Sequence, residues 1–227
     1  MRNLLIIVAL VVLPFISQPA MAQPEAVDLG LPSGIKWASC NLGASSPTDF
    51  GDYYAWGETS PKSDYSWSTL KYSDTRGDHF SKYVPSKQSS YWDYWSGSNS
   101  PDNKTKLDYS DDAARAKWGG SWRMPTVAEW EELRTNCTWI WDTEGVKSGG
   151  GGFRVKSKTN GNSIFLPAAG HKDGTLLIDL GTMGFYWSSS LKTEFPSCAY
   201  SVRFLFGYIY KSYYERCNGF SVRPVSE

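Results

Sequence analysis

The side chains in this sequence whose types suit chemistry are cysteines, histidines, paired carboxylates and a run of serines. The four cysteines are Cys40, Cys137, Cys198 and Cys217. No two of them have the C-x-x-C spacing found in many zinc sites, and His79 and His171 lie far from every cysteine in the sequence. A zinc site is therefore not expected, and each histidine is expected to be an ordinary surface or core residue.

Adjacent carboxylates occur at residues 111–112 and 131–132. Neighbouring side chains on a helix point apart, and acids near a helix N-terminus are more often caps than acid/base partners. The three serines at 188–190 lack the G-x-S-x-G context of a hydrolase nucleophile. Oxygen-rich residues 108–112 have ligand types that suit calcium, but a solvated loop and a helix cap explain them better. These patterns do not favour catalysis.

The first 22 residues have the pattern of a secretory signal peptide. Arg2 gives a positive start, residues 4–13 are an unbroken apolar run, and residues 20–22 form an A-x-A cleavage site before Gln23. The apolar run is too short to span a bilayer, and no second run of sufficient length follows. The sequence therefore predicts an exported protein, residues 23–227, in the periplasm, at the cell surface or secreted.

Composition argues against some partners and leaves the role of the aromatic residues open. The chain has 23 Lys and Arg against 23 Asp and Glu, without a basic cluster, which disfavours nucleic acid and anionic membrane surfaces. Its 11 Trp and 14 Tyr predict a loop-rich, β-containing domain. The aromatic residues either form the core or face solvent as a binding surface. Nothing in the composition indicates an oligomeric state.

Four cysteines in an exported chain predict two disulfides, with three possible connectivities. A turn centred on Gly207–Tyr208 would place Cys198 opposite Cys217, which leaves Cys40 to pair with Cys137. A register slip of one or two residues would change the partners, but the symmetry of the hairpin favours Cys198–Cys217 and, by elimination, Cys40–Cys137.

Two short helices are expected. Ser110 is the predicted cap of a helix that runs to residue 118 and is ended by Gly119. Thr126 and Glu129 have the spacing of a capping box, which predicts a second helix with Trp130 and Leu133 buried.

Short strands separated by turn residues are expected through the rest of the chain. Residues 59–110 are too aromatic for a disordered linker and are expected to be a long ordered insertion in a single domain. An Asn160-Gly161 turn predicts a hairpin. The strands expected are two within 27–39, then 153–157, 163–168, 185–190, 198–206, 208–217 and 220–225.

Several blocks, in order along the chain, resemble the Fibrobacter succinogenes major paralogous domain (FISUMP) family of exported bacterial proteins. These blocks are LGLPSGIKWASCNLGASSPTDFGDYYAWGE, WGGSWRMPTVAEWEEL, NSIFLPAAGHKDG, YWSSS and GFSVRPV. The resemblance covers most of residues 27–227. It implies an α+β, C-type-lectin-like domain related to the formylglycine-generating-enzyme fold. Such a domain has two short helices, twisted antiparallel sheets, and adjacent N- and C-terminal strands.

The resemblance implies no defined activity. The oxidase site of formylglycine-generating enzymes needs two closely spaced reactive cysteines, whereas Cys198 and Cys217 are far apart in the sequence and are expected in a disulfide. The Glu-Pro-Asn, Gln-Pro-Asp and Trp-Asn-Asp triplets of calcium-dependent lectins are absent from the sequence. No enzyme and no cofactor are therefore expected.

A non-enzymatic binding module is the favoured hypothesis, because lectin-like folds present their C-terminal hairpin and long insertion as a recognition face. The expected ligand is a surface glycan or protein. Expected contact residues are Arg203, Tyr208, Tyr210, Lys211, Tyr213, Tyr214 and Arg216 on the hairpin, and Tyr91, Trp92 and Trp95 on the insertion. Tyrosine gives rigid contact area at low entropy cost, and arginine adds planar hydrogen bonding. If these aromatic residues are buried instead, an extracellular structural or assembly module is the alternative.

Overall fold

The computed structural model describes residues 24–77, 79–86, 101–144, 146 and 150–227. Within them the chain is a mostly β fold with two helices and curled antiparallel sheets. The predicted signal peptide and the insertion residues Tyr91, Trp92 and Trp95 lie outside the described residues. In the part that is described, no helix is long and apolar enough to cross a membrane.

The first helix begins two residues later than predicted. Helix α1 spans Ala113–Trp118, and Asp112 caps it, since its Oδ1 accepts a hydrogen bond from the backbone N–H of Arg115 at 3.1 Å. Ser110, the predicted cap, lies in a single 3-10 turn just before. Gly119 ends the helix as predicted, with φ 65°, a positive φ that glycine adopts without steric cost.

The second helix confirms the predicted capping box. Helix α2 spans Val127–Asn136. The backbone N–H of Glu129 donates to Thr126 Oγ1 at 3.2 Å, and the backbone N–H of Thr126 donates to Glu129 Oε2 at 2.7 Å. Trp130 and Leu133 are both buried, as predicted.

The strands form three sheets within the described residues. They are β1 (Ala26–Asp28), β2 (Lys36–Ala38), β3 (Cys137–Asp142), β4 (Gly152–Ser157), β5 (Ser163–Pro167), β6 (Ala169–Asp173), β7 (Leu176–Leu180), β8 (Met183–Leu191), β9 (Cys198–Leu205), β10 (Tyr208–Glu215) and β11 (Val225–Ser226). The sheet orders are β1-β2-β11, β10-β9-β8-β6-β7 and β3-β4-β5. Because β11 pairs with β2, the C-terminal strand lies beside the N-terminal hairpin, as predicted.

Most predicted strands are present, but three strands were missed and one was too long. Strands β3, β6 and β7 were not predicted; β6 contains Gly170 at φ 61°, which interrupts an alternating pattern. The last predicted strand is reduced to β11, preceded by isolated bridges at Phe220 and Ser221. The hairpin of β4 and β5 is confirmed, with Gly161 at φ 78° in its turn.

The core includes aromatic side chains on both faces of β8. Neighbouring residues of a strand point to opposite faces. Tyr186 accordingly joins a cluster that includes Trp37 and Trp130, while Trp187 joins a second cluster that includes Phe220. The Trp187 and Phe220 rings are stacked with centroids 4.2 Å apart. Many of the aromatic residues therefore serve as core.

The register of the C-terminal hairpin differs by two residues from the predicted one. Tyr208 pairs with Leu205, so the two-residue turn consists of Phe206 and Gly207. Gly207 has φ 80°, which suits the second turn position rather than the first. Cys198 consequently pairs with Glu215, and not with Cys217 as predicted.

One buried carboxylate fastens the described part of the 59–110 segment to the start of α1. Asp111 accepts hydrogen bonds from the hydroxyls of Tyr72 and Tyr83, each at 2.6 Å, and from the ammonium groups of Lys71 and Lys82. Burial opposes ionisation of this carboxyl, but the four donors hold its pKa well below the ordinary value. The segment is thus attached by a charged network as well as by apolar contacts.

Candidate ligand-binding surface

Edge strand β10 carries five of the seven contact residues that were predicted on the hairpin. Its side chains alternate between the two faces of the sheet, so Lys211 and Tyr213 share one face and are both exposed. Arg203 of β9 pairs in register with Tyr210 and therefore lies on the opposite face. We call the residues of that opposite face, Arg203, Tyr208, Tyr210 and Tyr214, the tyrosine face.

The tyrosine face is partly open to solvent. Tyr208 is 59% exposed and Tyr210 is 41% exposed. Their rings are nearly parallel, with 6° between the planes and 6.0 Å between the centroids. Tyr214 is half-buried, with its ring edge-on to Phe185 at 5.5 Å and to Phe220 at 5.3 Å. Two exposed rings are thus placed beside a third that is fixed to the core.

Arg203 is held in place, yet its charge is not neutralised. Its Cζ lies 5.2 Å from the centroid of the Tyr210 ring, and its Nη1 donates to the Tyr214 hydroxyl at 2.9 Å. Its Nε is buried without a hydrogen-bond partner. No carboxylate of the described residues forms an ion pair with it. The contacts with Tyr210 and Tyr214 hold the guanidinium in place, so its remaining Nη N–H groups are pre-organised for ligand oxygen atoms.

Phe206 lies in the turn at the tip of the hairpin, and it was not among the predicted contact residues. It is 71% exposed, and its ring centroid lies 5.9 Å from that of Trp141 at an angle of 86°. The sequence signal was its position beside Gly207, since a side chain in a two-residue turn lacks the strand neighbours that would bury it.

The opposite face of β10 contacts a cation of the chain itself. The Tyr213 ring stacks on Phe195 with 5.6 Å between centroids. Lys192 Nζ lies between 5.2 and 5.8 Å from the ring centroids of Phe195, Tyr200 and Tyr213, and pairs with Glu194 at 2.7 Å. Burial alone would lower the pKa of Lys192, but its hydrogen bonds to Glu194 and Tyr200 hold it above the ordinary value. Tyr213 therefore already has an internal partner.

The prediction that Arg216 lies on the exposed face is wrong. Its side chain is fully buried, with Cζ 5.0 Å from the Trp56 ring centroid and 4.5 Å from that of Phe80. Its Nη1 and Nη2 donate to the carbonyls of Pro196 at 3.3 Å and Lys82 at 3.2 Å. Burial lowers its pKa to about 9. This residue follows the end of β10, where strand alternation no longer decides which way a side chain points.

Cys40, Cys137 and Cys217 are free thiols in the structure. Burial raises the pKa of Cys137 to about 11 and that of Cys217 to about 12, so both thiols are protonated at neutral pH and poorly nucleophilic. Because Cys198 pairs with Glu215, the hairpin register does not support the predicted Cys198–Cys217 connectivity. The disulfides stay a prediction.

Within the described ranges, no group of three or more His, Cys, Asp and Glu side chains is arranged to hold a metal ion. The predicted contact residues Tyr91, Trp92 and Trp95 lie outside those ranges, so they join no described surface. Of the predicted set on the hairpin, the structure brings four together as the tyrosine face and separates the other three.

Protein-family models, curated proteins and solved structures give no match to this chain. The resemblance to the FISUMP family therefore stays a prediction. The functional case rests on the geometry of the tyrosine face.

Proposed function

We propose that this chain is an exported, non-enzymatic binding protein that recognises a glycan at the cell surface through the tyrosine face. The observation that carries the proposal is the pair of parallel, exposed rings of Tyr208 and Tyr210 beside the unpaired guanidinium of Arg203. Aromatic rings contact the apolar faces of sugars, and a fixed arginine supplies directed hydrogen bonds to hydroxyl or carboxylate oxygens.

Exposed aromatic area supports a binding role over a purely structural one. Each tyrosine ring offers on the order of 100 Å² of exposed surface, and covering that much apolar area contributes about 2.5 kcal/mol. A contiguous exposed apolar patch on a protein often marks an interaction site.

Pre-organisation supports the same reading. Tyr214 is held against Phe185 and Phe220, and it in turn accepts the hydrogen bond that orients Arg203. A guanidinium that is already oriented loses little conformational entropy when a ligand binds. The unpaired positive charge favours sugars that carry a carboxylate over neutral ones.

The proposal also includes a C-type-lectin-like fold, membership of the FISUMP family and export by the N-terminal segment. Two helices, curled antiparallel sheets and the pairing of β11 with β2 support the fold. The apolar run with its A-x-A site supports export. The sequence blocks support the family.

A glycan array of neutral and uronic-acid-containing oligosaccharides, with host glycoproteins alongside, tests the binding function. The chain is expressed from its full-length sequence in a Gram-negative host and purified from the periplasm. The Tyr208→Ala/Tyr210→Ala variant should lose binding by at least about 100-fold, because two contact rings are removed. Tyr109→Ala is the matched control, since Tyr109 is an exposed tyrosine outside the hairpin.

Arg203→Gln adds a second arm to the test. It keeps a planar hydrogen-bonding group but removes the charge, so acidic glycans should lose more affinity than neutral ones. Equal binding by wild type and the double tyrosine variant would overturn the proposal. Binding to the protein part of a deglycosylated glycoprotein, with no glycan bound, would assign the surface to a protein ligand instead.

A further inference from the structure

The outer edge of β10 faces away from its partner strand β9. Within the described residues, β10 pairs with β9 alone, in a continuous eight-residue register without a bulge. In an antiparallel strand, alternate residues direct their backbone N–H and C=O groups away from the existing partner. The sequence of β10 contains no proline to block a further ladder. Such an edge is a template for another strand.

The side chains along this edge are complementary to themselves. Lys211, Tyr213 and Glu215 are exposed residues at alternate positions of one face. If two copies of β10 run antiparallel with Tyr213 opposite its own copy, Lys211 of each chain stands opposite Glu215 of the other. The arrangement forms two identical oppositely charged pairs around a central aromatic pair. Cross-strand pairs of both kinds stabilise antiparallel sheets.

The charges at both ends of this pattern lack an ion-pair partner in the described part of the chain. Neither Lys211 nor Glu215 forms a salt bridge there. Although the Glu215 side chain is exposed, desolvation by nearby protein atoms and the Asp173 carboxylate raise its pKa, and a hydrogen bond from the Cys217 thiol lowers it in part. A lysine from a second copy would supply the missing counter-charge.

We propose that two copies of this chain associate edge to edge through β10, antiparallel about Tyr213, with Lys211 of each copy paired to Glu215 of the other. A lysine on an edge strand usually discourages association; here the carboxylate four residues further on converts it into half of a pair. The interface is isologous, as in most two-fold dimers. The two-fold axis runs normal to the sheet, so both tyrosine faces lie on the same side and the dimer offers two ligand sites. The association itself does not depend on the binding function.

Charge reversal gives a direct test. The mass of the purified protein is measured by light scattering and by sedimentation as a function of concentration, at low salt. Wild type should move from monomer towards dimer as concentration rises. Lys211→Glu and Glu215→Lys should each weaken dimerisation by about tenfold or more, because both pairs in the dimer become repulsive. An equimolar mixture of the two variants should regain the dimer, since each variant then meets opposite charges.

Lys156→Glu is the matched control, because Lys156 is an exposed residue of the central strand β4, and it should associate like wild type. Circular dichroism confirms that each variant is folded. A wild type that stays monomeric up to its solubility limit would overturn the proposal. So would single variants that dimerise as well as wild type, or a mixture that fails to associate when both of its components are folded.

Discussion

Replacing Asp111 by Asn tests the charged network that fastens the 59–110 segment. The Asp111 side chain is 1% exposed and accepts from two lysines and two tyrosines. Asparagine keeps one acceptor oxygen but removes the negative charge. Its side-chain N–H₂ would face the lysine ammonium groups and tyrosine hydroxyls, which are donors themselves. The expected loss is about 3 kcal/mol in the free energy of unfolding, as for other broken buried charge pairs. In a chain of this size that corresponds to a fall in Tm of roughly 6–12 °C.

Asp108→Asn is the matched control for this measurement. Asp108 contacts the same Lys82 at 2.7 Å, but its side chain is 36% exposed, so its removal should cost less than about 1 kcal/mol. Urea denaturation followed by tryptophan fluorescence gives both values. Equal losses from the two variants would refute the argument that burial makes the Asp111 contacts the stronger ones.

The same pair of proteins has a defined pH dependence. The pKa of Asp111 is held below its ordinary value in the folded state, so its contribution to stability is complete above the unfolded pKa of about 3.9. Below that pH, the Asp111 carboxyl takes up a proton when the wild-type protein unfolds, so its contribution to the free energy of unfolding decreases. The stability difference between wild type and Asp111→Asn should therefore be full at neutral pH and should shrink below about pH 4.

Two further substitutions test the helix cap and the sheet packing by the same denaturation assay. Asp112→Ala should lower the free energy of unfolding by about 1–2 kcal/mol because Asp112 caps α1. Ser110→Ala should change it by less than about 0.5 kcal/mol. A larger loss from Ser110→Ala than from Asp112→Ala would show that Ser110 is the cap. Gly184→Ala should lower the free energy of unfolding by about 1–3 kcal/mol, since a Cβ at this position would clash with the buried Phe204 ring. An unchanged unfolding midpoint would contradict this packing.

Features set by neighbouring residues were predictable from the sequence. The capping box of α2 depends only on Thr126 and Glu129. Gly119 ends α1 because its own backbone adopts a positive φ. The start of α1 was misplaced because Ser110 and Asp112 are both good caps. Burial of the intervening Asp111 against distant lysines and tyrosines decided between them, and no local pattern contains that information.

The faces of the hairpin strands were predictable from the sequence, but the register between the strands depended on which residues form the turn. Alternation correctly separated the two faces of β10, because a shift of two residues preserves which face each side chain occupies. The same shift placed Glu215 rather than Cys217 opposite Cys198. The predicted disulfide connectivity depended on the absolute register and lost its support, whereas the alternation of side chains along β10 did not depend on it.

Arg203 and Arg216 show why the site was only partly predictable. Both are arginines of the hairpin region, and both lie over aromatic rings, at 5.2 Å from Tyr210 and 4.5 Å from Phe80. Arg203 lies within a strand, so alternation places it on a sheet face where two exposed tyrosines leave its charge accessible. Arg216 lies just past the strand, where the backbone turns it under the 59–110 segment and two carbonyls take its N–H groups. The difference comes from contacts more than 100 residues away in the sequence, and those contacts turn one arginine into a candidate ligand contact and the other into part of the core.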